Sequence, residues 1–380
     1  MDGMTVLRKL VAIFSIGWYL LAAGCASPDR QSLGGPLVFP ALDAGGEIEA
    51  APDVDVLALS EPMRRLLARQ VMIYPDRSAR LQALRRLFSD TSPLPLKYDR
   101  SQSRTAAETF AGGAGDCVSF SNLVVAMARQ VGLDARYRDV LVRSNWERSG
   151  DLAVFRRHMN VAVGDGRRFE VYDFFAAGDP DARGEFISDA RARAQYFNNR
   201  GMEYFRAGQA ETALRYLKRA LLIDPGLAFI WSNVGTVYSQ RGNYAAAERF
   251  LQRALAVEPG NGSALANLSE LYRKQGRNAQ ADEYAHRAEP YRRHNPYYLY
   301  DLAAAAYARG RFWVALEELQ QALAIKADVS FYELRARIYL TLGETGPARQ
   351  SCRSAVALAR RSALPAPSLC REPETASSRP

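Results

Sequence analysis

The hydrophobic residues of this chain follow three patterns, and each pattern predicts a different structure. Residues 117–131 are mostly apolar and end before Gly132, which predicts a mostly buried helix closed by a glycine turn. Met159, Val161 and Val163 alternate with other residues, which predicts a strand. In the last half of the chain, apolar and small residues recur at a fixed interval, which predicts an array of repeated units.

The interval of this array is 34 residues, and it joins seven identical pairs and one aromatic pair. The pairs are Phe197/Trp231, Gly201/Gly235, Tyr204/Tyr238, Gly208/Gly242, Ala213/Ala247, Leu217/Leu251, Ala220/Ala254 and Pro225/Pro259. Three less regular units follow, which gives about five repeats over residues 190–360. The pattern resembles the tetratricopeptide repeat (TPR), a helix–turn–helix unit. This resemblance implies an all-α solenoid whose concave face binds a protein or peptide partner, and the alternative is a spacer or packing scaffold with no specific ligand.

Three residues outside the array are candidates for catalysis. Cys117 follows a glycine-rich loop and begins the predicted helix, His158 is the only histidine in the first 285 residues, and Asp173 follows it by fifteen residues. A cysteine at a helix start, a histidine and an acid are the parts of a thiol nucleophile with its base and orienting group. The N–H groups and the dipole of a helix start are expected to lower the pKa of Cys117 and to stabilise an oxyanion. The alternative is a buried structural cysteine.

The spacing of the histidine and the acid predicts a β-hairpin. If Asp165-Gly166 is a two-residue turn, residues whose numbers sum to 331 lie opposite each other. His158 and Asp173 sum to 331, so their Cβ atoms would be about 5 Å apart on one face. The carboxylate would then accept one imidazole N–H and orient the ring.

These motifs resemble the transglutaminase-like superfamily over about residues 75–180. The resemblance is carried by Gly115-Asp116-Cys117, by Ala128-Arg129 with the following Gly132-Leu133-Asp134-Ala135-Arg136-Tyr137, by His158-Met159-Asn160-Val161 and by Val171-Tyr172-Asp173. It implies a papain-like α+β fold, in which a helix carries Cys117 against an antiparallel sheet with His158 and Asp173. Animal crosslinking members have glutamine and tryptophan around the cysteine, where this chain has Asp116 and Val118. That departure disfavours a crosslinking transglutaminase but leaves thiol acyl chemistry intact.

The N-terminus has the pattern of a secretory signal. Arg8 and Lys9 precede an apolar run over residues 10–21, and Ala22-Ala23-Gly24-Cys25 follows. This order resembles a bacterial lipoprotein signal peptide over residues 1–24, with Cys25 lipidated. It implies a cell-envelope protein that is held by lipid in the outer membrane and faces the periplasm. The alternative is that the N-terminal segment is not cleaved and anchors the chain itself. The rest of the chain is extracytoplasmic in both cases.

The remaining boundaries follow from composition. Residues 25–55 are rich in Gly, Pro and Ala and are predicted to form a flexible tether, and residues 361–380 a disordered tail. Residues 56–185 are predicted as the catalytic domain. In an oxidising compartment Cys352 and Cys370 can form a disulfide, although such a bridge needs specific geometry.

Charge and motifs add little. The net charge of +9 fits proximity to anionic lipid or cell-wall polymer, but no nucleic-acid motif accompanies it, so no nucleic-acid partner is predicted. No zinc-type spacing, phosphate-binding loop or dinucleotide motif is present, so neither a metal nor a cofactor is predicted.

Two functions of different classes remain open. The first is an envelope-anchored thiol enzyme, a cysteine peptidase, amidase or acyltransferase, that attacks an amide or isopeptide bond while its repeats dock a protein. The second is an assembly lipoprotein whose repeats bind a partner and whose transglutaminase-like module is a scaffold without activity. The complete set of Cys117, His158 and Asp173 favours the enzyme.

Overall fold

The computed structural model describes residues 48–89, 94, 96–140, 146–149, 152–155, 157–174 and 184–370. Residues 1–47, and with them the predicted signal peptide and Cys25, lie outside the described residues. None of the helices in the described ranges combines the length and the apolar composition that a bilayer crossing requires.

Helices and short strands alternate in the first part of the described chain. The helices are α1 (Glu61–Gln70), α2 (Arg77–Leu87), α3 (Ala106–Gly112) and α4 (Cys117–Gln130). The strands are β1 (Lys97–Tyr98), β2 (Ala114–Gly115), β3 (Asp134–Val140), β4 (Trp146–Ser149), β5 (Leu152–Phe155), β6 (His158–Gly164), β7 (Phe169–Tyr172) and β8 (Gly184–Phe186). Strands β1 and β2 form a parallel pair, and β4 and β5 form an antiparallel pair.

A four-stranded antiparallel sheet is the centre of this part. Its strands lie in the order β7-β6-β3-β8, and every residue of β6 is buried. Strand β3 pairs with β6 along its whole length, so that Val140 lies opposite His158. The histidine is therefore the first residue of an interior strand, as the alternation of Met159, Val161 and Val163 predicted.

The helix α4 is enclosed by other elements. All of its residues from Val118 to Ala128 are buried, and it contacts α3, α5, β3 and β6. Inside this packing, the hydroxyl of Tyr137 donates a hydrogen bond of 2.9 Å to Asn122 Oδ1. A helix that is apolar on all sides is stable only when it is enclosed in this way. The predicted buried helix over residues 117–131 is confirmed, with its end at Gln130.

The last part of the described chain is built from ten helices in five consecutive pairs. They are α5 (Asp189–Arg206) with α6 (Ala210–Ile223), α7 (Ala228–Gln240) with α8 (Tyr244–Val257), α9 (Gly262–Lys274) with α10 (Asn278–Arg292), α11 (Pro296–Ala308) with α12 (Phe312–Ile325), and α13 (Val329–Thr341) with α14 (Thr345–Arg361). Each helix packs mainly on its pair partner, and α6 contacts α7, α8 contacts α9, and α12 contacts α13 between neighbouring pairs. An α+β region followed by an all-α solenoid is the fold class that the sequence predicted.

Glycines explain the period of the solenoid. The turn inside each pair holds a glycine with a φ of 72° to 79°, a backbone conformation that other residues adopt at a cost. These glycines are Gly208, Gly242, Gly276, Gly310 and Gly343. Where α7 crosses α8, a Cβ on Gly235 would lie 2.6 Å from Leu251 Cγ, so only glycine permits this approach.

Residues 48–56 form a strap that joins the two parts of the molecule. The Lys218 side chain donates a hydrogen bond of 2.6 Å to the carbonyl of Ile48, and Arg219 Nε donates one of 2.7 Å to the carbonyl of Ala51. Both donors belong to α6. At the end of the strap, the carbonyl of Val56 accepts a hydrogen bond of 2.9 Å from the amide of Ala106, the first residue of α3. Residues 48–55, the described end of the predicted tether, are thus bonded to the solenoid.

A disulfide holds the C-terminal end of the solenoid. Cys352 of α14 is bonded to Cys370, and their Cα atoms are 5.0 Å apart. Ser368–Cys370 forms a short 3-10 helix that contacts α13 and α14. The pairing that the sequence left open is therefore made. The predicted tail, residues 361–380, is described as far as Cys370, and within it residues 361–365 are exposed while Ser368–Cys370 contacts the last repeat.

Candidate active site

Cys117 is the first residue of α4, where the sequence placed it. The chain reaches it through Gly113, which has a φ of 60°, and through the two residues of β2. A Cβ on Gly115 would lie 2.5 Å from Ser119 Cβ, because the loop folds tightly against the first turn of the helix. Glycine at position 115 therefore sets the approach of the loop that carries the cysteine.

Asp116 caps the helix and fixes its first turn. Its Oδ1 accepts hydrogen bonds from the Ser119 amide at 2.9 Å and from the Ser119 hydroxyl at 2.6 Å. Its Oδ2 accepts a hydrogen bond of 2.5 Å from the Ser103 hydroxyl. Side-chain capping of this kind stabilises a helix start by about 1 kcal/mol. The residue before the cysteine is thus a structural anchor for the position of the sulfur.

The Cys117 sulfur faces the beginning of β6. The backbone N–H groups of Met159 and Val118 approach the sulfur closely enough to stabilise its thiolate, whereas the negative charge of Asp173 disfavours the thiolate. Among the described cysteines, Cys117 is the one outside a disulfide, and the residue as a whole is partly exposed. Because Met159 follows His158 directly, the structure brings the cysteine to the strand end that carries the histidine.

Burial raises the pKa of the Cys117 thiol to about 12, and the charge of Asp116 acts in the same direction. The N–H groups of Met159 and Val118 act in the opposite direction but do not offset it. The N–H group of Val118 in the first turn of α4 acts in the predicted direction, but loss of solvent around the sulfur and the neighbouring carboxylate outweigh it, so the net pKa is raised and not lowered. At neutral pH the thiol keeps its proton unless a base accepts it during the reaction.

His158 and Asp173 are in direct contact. His158 Nε2 lies 2.9 Å from Asp173 Oδ1 and 2.8 Å from Oδ2, and Asn160 Nδ2 donates a hydrogen bond of 2.9 Å to Oδ2. The His158 side chain is 2 % exposed and that of Asp173 is 25 % exposed. When Nε2 donates its proton to the carboxylate, Nδ1 is the nitrogen that can accept a proton.

The hairpin that makes this contact has a different register from the predicted one. Val161 lies opposite Tyr172 and Gly164 opposite Phe169, so partner numbers sum to 333 and the connection is the four residues 165–168. The predicted two-residue turn is therefore wrong. The Asp165 carboxylate accepts the amides of Arg167 and Arg168 at 2.8 and 3.1 Å and holds the longer loop. A shift by two residues keeps each side chain on its face, so His158 and Asp173 still meet.

Several site residues escaped the sequence-based predictions. Asn160 follows His158 by two residues, and this spacing in a strand was the available signal that both share a face. Tyr98 of β1 lies near Cys117, and burial, followed by the charge of the thiolate, raises the pKa of its phenol. Ser103 and the α5 residues around it gave no signal as a motif, because they reach the site only through the fold.

The described residues contain no group of three or more His, Cys, Asp or Glu side chains that could hold a metal ion.

Comparisons with known families agree with the two-part organisation. Residues 67–174 match the model of the transglutaminase-like superfamily, and this match includes Cys117, His158 and Asp173. Two tetratricopeptide-repeat models match residues 192–259 and 238–304. The chain therefore joins a transglutaminase-like region to a tetratricopeptide-repeat solenoid, which confirms both resemblances.

Similar solved structures share limited identity with this chain. The structure of pilF from Pseudomonas aeruginosa is 21% identical, with a TM-score of 0.34, over 44% of this chain and 78% of that chain. The APC/C hetero-tetramer Cut9-Hcn1 is 17% identical, with a TM-score of 0.31, over 44% of this chain and 34% of that chain, so the match spans about a third of its length. The second TPR of Spaghetti (RPAP3), bound to an HSP90 peptide, is 20% identical, with a TM-score of 0.25, over 26% of this chain and 91% of that chain. No curated protein matches this chain.

Proposed function

We propose that this chain, which joins a transglutaminase-like region to tetratricopeptide repeats, is a thiol enzyme that attacks amide bonds. The observation that supports this most strongly is the contact of 2.8 Å between His158 Nε2 and Asp173 at the strand end that borders the Cys117 sulfur. The three side chains lie far apart in sequence, and their residue types are those of a nucleophile, a base and an orienting acid.

In the first step, Asp173 holds the proton on His158 Nε2, and Nδ1 accepts the proton of the Cys117 thiol. The sulfur attacks the amide carbonyl carbon, and the carbonyl π electrons move to oxygen. The backbone N–H of Cys117 stabilises this oxyanion, because the N–H groups of Ser119 and Phe120 in the same turn donate to Asp116. When the carbon–nitrogen bond breaks, the amine leaves with the proton from Nδ1, and a thioester on Cys117 remains.

The second step decides the class of enzyme. Attack by water on the thioester releases an acid and makes the enzyme a peptidase or amidase. Attack by an amine forms a new amide and makes it an acyltransferase. Both acceptors give up a proton to His158, so the same three residues serve both outcomes, and product identification by mass spectrometry distinguishes them.

The test is the rate at which Cys117 is alkylated by iodoacetamide between pH 5 and 10. The full chain carries Cys25→Ser and keeps the Cys352–Cys370 disulfide, so that Cys117 is the reacting thiol. Below pH 8 we expect labelling to be about 100-fold faster than in the same chain with His158→Ala, because the imidazole takes the proton that the buried thiol retains. Equal rates that rise only above pH 9 would contradict an enzyme.

One observation favours a second function, a scaffold without activity. Burial and Asp116 raise the pKa of Cys117, which is the environment of an unreactive cysteine. In that case Cys117→Ala would leave every function of the protein unchanged, whereas the enzyme loses activity and retains partner binding. A pull-down with the wild type and Cys117→Ala, combined with an activity assay, separates the two functions.

We also propose that the solenoid docks a protein or peptide partner on its concave face. Tetratricopeptide repeats generally mediate interactions between proteins, and the five helix pairs supply an extended surface for one. The partner would be the substrate itself or a protein that delivers it. Crosslinking of the intact protein, followed by identification of peptides bound to α7, α9 and α11, tests this docking.

The proposed location is the bacterial cell envelope, with the chain anchored through lipidated Cys25 in the outer membrane. The support is the charged, apolar and small-residue order of the first 25 residues. We expect the mature protein to carry an acyl mass on Cys25 and to fractionate with membranes. The variant Cys25→Ser is expected to lose both properties, and an unchanged fractionation would contradict the anchor.

A further inference from the structure

The first solenoid helix, α5, runs antiparallel to α4, the helix that begins with Cys117. At the C-terminal end of α4, the Arg129 guanidinium donates two hydrogen bonds of 2.5 and 2.9 Å to Asp189, the first residue of α5. At the N-terminal end, Asn199 Nδ2 of α5 lies 3.5 Å from Oδ2 of the capping residue Asp116. The solenoid therefore holds the catalytic helix at both ends.

Ser103 connects the cap of α4 to α5. Its hydroxyl donates to Asp116 Oδ2 at 2.5 Å and accepts from Asn199 Nδ2 at 3.2 Å, while its amide donates to Glu203 Oε1 at 2.7 Å. Glu203 pairs with Arg200 at 2.8 Å, and these two side chains are 12 % and 14 % exposed. We call these five residues, Ser103, Asp116, Asn199, Arg200 and Glu203, the junction cluster.

The two charged members of the junction cluster that belong to α5, Arg200 and Glu203, replace core residues of the repeat. Counted by the 34-residue interval, the equivalents of Arg200 and Glu203 are Val234 and Val237 in the second repeat and Leu268 and Leu271 in the third. All four equivalents are fully buried. Packing of the solenoid alone would favour apolar residues at these positions, because a buried ion pair is often no more stable than an apolar pair of similar size.

Asn199 departs from the repeat in what it contacts. Its equivalent Asn233 donates a hydrogen bond of 2.7 Å to Asn198 of the preceding pair, and the next equivalent, Asn267, donates one of 3.2 Å to Ser232 of its own preceding pair. Asn199 instead bonds to Ser103 of the transglutaminase-like region. That region thus takes the place of a preceding repeat.

We propose that Asn199, Arg200 and Glu203 are positioning residues for Cys117. They hold Ser103, Ser103 holds Asp116, and Asp116 fixes the first turn of α4, on which the sulfur sits. This inference rests on the proposed thiol chemistry and deepens it, because it makes the first repeat a part of the active site. A displacement of the sulfur by about 1 Å is enough to lower a reaction rate by about 100-fold.

The test uses a pair of substitutions that the solenoid itself suggests. The double variant Arg200→Val with Glu203→Val carries the residues of the second repeat at these positions, and it removes the acceptor for the Ser103 amide. We expect alkylation of Cys117 below pH 8 to slow by about ten-fold. The single variant Glu203→Gln keeps an oxygen that accepts this amide, and we expect it to retain at least half of the wild-type rate.

The matched control is Asn233→Ala, which removes the equivalent of Asn199 from the second repeat. It is expected to lower the melting temperature but to leave Cys117 labelling unchanged, whereas Asn199→Ala slows labelling. All variants are made in the full chain with Cys25→Ser, and circular dichroism reports their folding. If the folded double variant and folded Asn199→Ala are labelled as fast as the wild type, the inference is overturned while the proposed function stands. If labelling of Cys117 in the wild type does not depend on His158, both are overturned.

Discussion

The two parts of this molecule are specified by sequence in different ways. The solenoid is determined by short segments of sequence. Gly208, Gly242 and the small residues around them recur at one interval, and each repeat packs mainly within itself. The transglutaminase-like region depends on contacts between residues far apart in sequence, since α4, which begins with Cys117, lies against β6, which begins with His158. In the first part, we propose that a departure from the pattern marks a function. In the second, each residue of the proposed catalytic set occurs once, so its loss would have no substitute.

The largest expected effect is at the histidine. His158→Ala removes the base, and we expect acylation of Cys117 by an activated ester to fall by about 100- to 10,000-fold. The matched control is His286→Ala in the solenoid, an exposed histidine whose loss should leave the rate unchanged. Stopped-flow measurement of the released alcohol gives the rate. If the two substitutions lowered the rate equally, the proposed role of His158 as the base would be contradicted.

The next effect is at the acid that holds the histidine. Asp173→Asn replaces the acceptor of the Nε2 proton by an amide, so the ring loses the tautomer that leaves Nδ1 as a base, and we expect a loss of about 100-fold in acylation. Asp165→Asn, in the turn of the same hairpin, is the control. It perturbs the hydrogen bonds to Arg167 and Arg168 and should leave the acylation rate within about two-fold of the wild type.

A substitution in the solenoid should lower stability without changing the reactivity of Cys117. Gly235→Ala places a methyl group 2.6 Å from Leu251 Cγ, and we expect it to destabilise the fold by about 1–3 kcal/mol with no change in Cys117 labelling. Gly260→Ala is the control, because a Cβ there has no heavy atom within 4 Å. Thermal unfolding followed by circular dichroism measures both. A melting temperature equal to that of the control would show that the close crossing of α7 and α8 is not required.

The last effect concerns the pH dependence of stability at the junction. Burial raises the pKa of Glu203 from 4.5 to about 7, and Asp116 adds to this while Arg200 and the Ser103 amide act against it. Because the folded state binds this proton more tightly, its contribution to stability is fully present below pH 4.5 and is lost as the pH rises through 7. The loss is at most about 1.4 kcal/mol per pH unit. Glu203→Gln lacks it, so the melting temperature of the wild type should fall relative to the variant between pH 5 and 8. A constant difference between the two would contradict the raised pKa.

Local signals predicted more of this molecule than contacts at long range did. The apolar run that ends before Gly132 predicted α4 closely, and the 34-residue interval predicted the paired helices. The hairpin register failed because the Asp165 side chain stabilises a four-residue turn, and nothing in Gly164-Asp165-Gly166 separates this turn from a shorter one. The predicted contact between His158 and Asp173 is still made, because the register differs from the predicted one by two residues and each side chain stays on its face of the sheet.

The junction cluster shows the limit of the sequence. Ser103 and Glu203 are a hundred residues apart, and no interval or motif joins them. One signal was present, however, because Arg200 and Glu203 interrupt positions that are apolar in the second and third repeats. The pKa of Cys117 could not be read from the sequence either, since it depends on how completely the packed chain removes water from the sulfur.

The most direct test of the central claim is whether Cys117 forms an acyl-enzyme. The full chain with Cys25→Ser is incubated with an activated ester at pH 7, quenched in acid and measured by intact mass spectrometry, beside the same chain with Cys117→Ser and with His158→Ala. A thiol enzyme gains one acyl group on Cys117, loses it on treatment with hydroxylamine, and gains it far more slowly without His158. Acylation that is absent from Cys117, or that proceeds at the same rate without His158, would contradict the proposed chemistry and favour the scaffold.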